Sequence, residues 1–167
     1  MKMLMKSVVS VGLLSAVMCA SAATSSTDAA QSFKLCNNQY HKLAAQVKAD
    51  RPAITKEFMA AFKANQKHKD VAALKATVRS VTSKYIKAEF QLMAGQDTLT
   101  ACKTAAQAKN KEAYLPLMTA YLANQNLKQA SYWCNQAVSA KSSDVHGNVV
   151  QASMCSHLST IEGLLKA

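Results

Sequence analysis

Cys36, Cys102, Cys134 and Cys155 are the residues of this chain best suited to covalent chemistry. Their compartment decides whether they act as nucleophiles, metal ligands or disulfides. Residues 1–22 read as a secretory signal. Met1 to Lys6 carries two lysines, Ser7 to Cys19 is an apolar run, and Ala20, Ser21 and Ala22 form a small-residue cleavage pattern ending at Ala22. A lipoprotein reading through Cys19 is the lesser one, because Met18 stands where that processing wants a small residue. In an oxidising space, four cysteines imply two disulfides and leave no thiolate for a Cys and His catalytic pair.

The histidines and acids offer little else that converges. His41, His68, His146 and His157 form no His-x-x-x-His pair and no zinc spacing with cysteine. Asp28, Asp50, Asp70, Asp97 and Asp144 fall at expected helix starts, where a short carboxylate caps free amides and meets the positive end of the helix dipole. Glu112 also falls near a helix start, and Glu57, Glu89 and Glu162 are scattered over different helices. No catalytic residue, metal or cofactor is assigned, and the expectation is a protein that is not an enzyme. A second possibility is a small-ligand or haem carrier, in which His41 with Met59, Met93 or Met154 could supply axial ligands inside a bundle.

Charge points to the partner. From Lys34 to Ala88 twelve basic residues face three acids, a net of +9, whereas Glu89 to Ala167 has six against five, a net of +1. A one-sided basic field favours an acidic protein or an anionic envelope component over a neutral partner; nucleic acid is not expected outside the cytoplasm. The basic face is expected around Lys63, Lys67, Lys69, Lys75 and Arg79. The bland alternative is an ordinary solvated surface. No segment after residue 22 approaches the roughly 20 apolar residues of a membrane-spanning helix. No Asn-x-Ser/Thr glycosylation pattern occurs, which fits a bacterial periplasm or secretion.

The elements that must position these residues are helical. Gly95, Gly147 and Gly163 are the only glycines after the signal, Pro52 and Pro116 the only prolines, and alanine, lysine, leucine and glutamine abound. The chain reads as one all-α domain over residues 23–167, a bundle or irregular array of five to seven helices. The first begins after Ser25 to Asp28 with Phe33, Cys36, Tyr40, Leu43 and Val47 on one side, and a turn at Asp50 and Arg51 leads into a second opened by Pro52. A long helix follows Asp70, with Val71, Leu74, Val78, Val81, Tyr85, Ala88 and Leu92 as a heptad-like seam. It either runs on through Gly95 or breaks there with Asp97 opening a new helix. Helices are also expected over Ala113 to Ala123, from Leu127 behind an Asn126 cap, and around Val150, Met154, Leu158, Ile161 and Leu165.

If a loop spans Lys141 to Gly147, antiparallel helices bring Cys134 level with Cys155. That favours a Cys134–Cys155 bridge and leaves Cys36 for Cys102, although three connectivities are open.

The stretch from Tyr114 to Ala137 resembles one tetratricopeptide repeat: Tyr114, Leu117, Tyr121, Ala130 and Ala137 fall at that family's hairpin positions, while Met118, Cys134 and Ser142 replace its glycine, aromatic and closing proline. Such repeats bury their faces by stacking, so one unit resembles only part of the family's architecture. The resemblance implies a peptide- or protein-binding adaptor presenting Tyr121 and Trp133.

Overall fold

A chain poor in glycine and proline folds into helices. The computed structural model describes residues 26–140 and 155–167; the leader expected in residues 1–22 and the loop with Asp144 and His146 lie outside these, as do Val150 and Met154. Among the described residues there are six α-helices, two short 3-10 turns and no strand. The helices are α1 (Ser26–His68), α2 (Val71–Phe90), α3 (Gln96–Gln107), α4 (Tyr114–Ala123), α5 (Leu127–Ser139) and α6 (Leu158–Lys166). The all-α array expected from composition is what forms.

The longest helix is α1, not the one after Asp70. Its 43 residues span about 65 Å at 1.5 Å per residue and carry Pro52 in the interior. The expected turn at Asp50 and Arg51 does not form. Proline disfavours the helix before it and removes a donor, but it does not forbid continuation where both halves are held by neighbours. The N-terminal half is bolted to α3 by Cys36–Cys102, and α2 packs along the other half. Asp50 is consequently a mid-helix residue whose carboxylate accepts hydrogen bonds from Gln46 at 3.0 Å, rather than a cap.

Other boundaries follow local chemistry. Asp70 caps α2 by accepting from the Ala73 amide at 2.9 Å, and Asn126 caps α5 by accepting from Gln129. The helix after Asp70 stops at Phe90; a 3-10 turn, Gln91–Met93, leads to Gly95, which precedes α3, with Asp97 in the first turn. The choice at Gly95 is therefore a break. α4 runs into its turn through Gln125 in the left-handed region, where the Asn126 amide reaches back to Tyr121 and that of Gln125 to Leu122.

The core lies around α3, α4 and α5. Leu117, Met118, Ala120 and Leu122 have no exposed surface, and Pro116 sits in the first turn of α4, where its missing amide is harmless. One cluster joins Cys36, Leu43 and Met93 to α3 and α4; another joins α4, α5 and Leu158; Tyr121 and Trp133 pack against both. The heptad-like seam of α2 is not a coiled-coil seam. Val81 is buried, Val71 and Ala88 are exposed, and the off-seam residues Ser83 and Glu89 are buried instead. α2 meets α1 and α6 at different angles around its axis, so no single stripe faces one partner.

Candidate functional site

Both favoured disulfides are present. Cys36 and Cys102 are bridged with their Cα atoms 4.8 Å apart, and Cys134 and Cys155 with theirs 5.7 Å apart. α3 continues past Gly95 along the first half of α1, antiparallel to it as α2 is along the second half: Glu57 meets Lys84, Tyr40 and Leu43 meet Phe90, and Cys36 meets Cys102. Cystines have no thiolate, so these four residues position helices.

The remaining titratable groups fall on the paired helices α1 and α2. Glu57 accepts from Lys84 Nζ and from the Tyr85 hydroxyl, both at 2.8 Å, and the same ammonium lies 4.9 Å from the Tyr85 ring centre. The hydrogen bond from Lys84, then that from Tyr85, holds the Glu57 carboxyl below its usual range, and Glu57 in turn raises Lys84 and Tyr85. This contact was invisible in the sequence because the partners stand 27 and 28 residues apart. Glu89 is the opposite case. It is buried, its Oε1 has no hydrogen-bond partner, and burial followed by repulsion from Asp50 pushes its pKa up. Tyr40 is raised by burial as well; it lines a pocket of about 300 Å³ with Leu43 and Phe90.

Of the possible haem ligands, Met154 lies outside the described residues, and the others occupy unlike environments. His41 and Met59 are exposed on α1, whereas Met93 is fully buried in the core. Among the described residues no group of three or more His, Cys, Asp or Glu could hold a metal ion. The hairpin that resembles a tetratricopeptide repeat does form, as α4 and α5. Tyr121 and Trp133 are partly buried against the core, and the Trp133 ring lies 5.4 Å from that of Tyr114, whereas Tyr132 on the same hairpin is exposed.

Lys63, Lys69, Lys75 and Arg79 are exposed, and among the described residues none has a carboxylate within ion-pair distance. The side chain of Lys67 lies outside those described. Lys69 forms the link between α1 and α2 in the left-handed conformation, with φ 49°. Lys75 and Arg79 are one turn apart on α2 and line one open groove of about 650 Å³. The apolar part of that groove comes from Phe62 on α1, Leu74 and Val78 on α2, and Leu164 on α6. Arg79 also borders a second depression of about 450 Å³ with Lys84 and Lys87, two cations that the sequence reading did not single out. Ser83 anchors the wall by donating to the Leu164 carbonyl at 2.6 Å.

No helix among the described residues is long and apolar enough to cross a membrane. No protein-family model, curated protein or solved structure matches this chain.

Proposed function

We propose that the chain is an exported, non-enzymatic binding protein whose basic face captures an acidic protein or an anionic envelope component. The observation that carries this reading is that Lys63, Lys69, Lys75 and Arg79 are exposed with no carboxylate partner among the described residues, Lys75 and Arg79 standing one turn apart on one groove. Uncompensated surface cations raise the local concentration of anions and speed encounter, at the expense of strong sensitivity to ionic strength. Export is supported by the leader pattern of residues 1–22 and by two disulfides, a feature of oxidising compartments.

Charge reversal tests the proposal. The triple variant Lys63→Glu, Lys75→Glu, Arg79→Glu alters only exposed positions and is expected to fold. Polyglutamate serves as a model acidic partner and native envelope extract as the natural source. Wild-type capture of both is expected to fall steeply as salt rises, and the variant is expected to retain less than a tenth of it at low salt. Equal capture by the two proteins at every salt concentration sinks the reading.

A further inference from the structure

Lys75 and Arg79 do not stand on a flat polar surface. Beside Lys75 and Arg79 runs the groove formed by α1, α2 and α6, and its volume of about 650 Å³ lies within the range of small-molecule sites. Phe62, at 49% exposure, leaves half of an aromatic ring uncovered there. Gly163 contributes no side chain to the wall, and a Cβ built on it would meet nothing within 4 Å. Apolar surface and space therefore lie within one helical turn of two cations that no described carboxylate neutralises. A purely acidic partner would satisfy the cations and leave Phe62, Leu74, Val78 and Leu164 wet. A neutral apolar ligand would cover those four and leave the cations unused.

We propose that this groove binds a single-chain anionic amphiphile, a free long-chain fatty acid being the simplest, with the hydrocarbon tail along Phe62, Leu74, Val78 and Leu164 and the carboxylate at Lys75 and Arg79. The proposal rests on the reading that the basic face meets an anion, and it names the class. The two long cationic side chains suit the role, since their methylene stems lie along apolar surface while their heads hold the anion at its edge. Arg79 offers a planar fork matched to a carboxylate and Lys75 a compact second charge. Tail burial makes affinity depend on chain length, by about fourfold per methylene, until the groove is full.

The test is calorimetric titration of the oxidised protein with octanoate, decanoate and dodecanoate below their micelle concentrations. Affinity is expected to rise about fourfold per added methylene. Neutral monododecanoylglycerol is expected to bind at least tenfold more weakly than dodecanoate. Gly163→Phe, which fills the groove from an open position, is expected to weaken dodecanoate at least tenfold while leaving polyglutamate capture unchanged; Gly163→Ala is expected to fold as well as the wild type or better and to keep binding. Should Gly163→Phe fail to fold, the exposed position Phe62→Ala supplies the second arm, with a several-fold loss expected. Equal affinity for the three acids, or full dodecanoate binding by a folded Gly163→Phe protein, overturns the proposal. So does binding confined to phosphatidylglycerol vesicles with none to monomeric dodecanoate, which would make a bilayer the partner. A wild-type protein that captures polyglutamate but binds no dodecanoate removes the groove's role and spares the basic face; a wild-type protein that binds neither removes the wider reading too.

Discussion

α4 and the pair α1–α2 are built from similar helix-forming residues, yet they end up in opposite environments. On α4, Leu117, Met118, Ala120 and Leu122 are completely enclosed, whereas Met59, Phe62 and Val71, near the turn between α1 and α2, are each about half exposed. Charge placement accounts for the difference. α4 contains no charged residue, so helices can close on it from every side. On α2, Lys75 and Arg79 flank Leu74 and Val78, and enclosing that stripe would drag two cations out of water, a cost that apolar burial of this size cannot offset. The cations thus do two things: they present charge, and they keep an apolar groove from being filled by the protein itself.

The largest effects are expected from cutting the staples of the enclosed region. In the chain-entropy picture, removing Cys36–Cys102, with its separation of 66 residues, lowers stability by about 4 kcal/mol, and removing Cys134–Cys155, with 21, by about 3 kcal/mol. Paired serine substitutions and denaturant unfolding measure both. The comparison between regions breaks if the Cys36 and Cys102 pair can be removed for less than about 1 kcal/mol, because α1 and α3 would then be held together by packing alone.

A smaller effect sharpens the same contrast. Leu122→Ala, at a fully buried site, is expected to cost about 3 kcal/mol, whereas Phe62→Ala, although it deletes a larger side chain, is expected to cost less than about 1 kcal/mol because half of the ring is already in water. Matched melts of the two variants decide it. Equal losses would mean that Phe62 belongs to a closed core and that the groove is shut in solution.

How far the sequence could be read follows the same division. Asp70 and Asn126 as caps, α4 and α5 with a turn between them, and the Cys134–Cys155 bridge were legible because each depends on residues close in sequence or on the level at which two successive helices meet, whereas Cys36–Cys102 followed only as the remaining pair. Pro52 misled because its local preference for a break was overridden by α2 and α3 packed along α1. The seam of α2 misled because a regular spacing fixes which residues share a stripe but not whether one neighbour or several will cover it. Of the candidate surface, Lys63, Lys69, Lys75 and Arg79 were singled out by the uneven placement of charge along the chain, and the structure leaves them exposed. Phe62, Gly163 and Leu164 were not joined to them, since bringing α6 against α2 requires a contact 81 residues apart, that of Ser83 with Leu164.

The smallest effects concern two carboxylates on the open pair of helices whose titrations run in opposite directions. Glu89 is buried beside Asp50 with one oxygen unsatisfied, so its neutral form is favoured in the folded state and its pKa is raised. A raised carboxyl pKa means that the favourable contribution is fully present below the unfolded-state value and is lost as pH rises through the folded one. Glu89→Gln is therefore expected to stabilise at neutral pH, by about 1 kcal/mol on the scale of an unsatisfied buried polar group, with the gain disappearing in acid. Glu57 is exposed and paired, and Lys84 and Tyr85 lower its pKa; its contribution is present above the unfolded-state value and is lost as pH falls through the lowered one. Glu57→Gln is accordingly expected to destabilise slightly at neutral pH, less in high salt, and not at all in acid. Thermal melts of the two variants across pH should diverge from the wild type with opposite sign toward neutrality and converge on it in acid. Parallel profiles would mean that Glu89 ionises without penalty, and hence that the end of α2 is as open to water as its beginning.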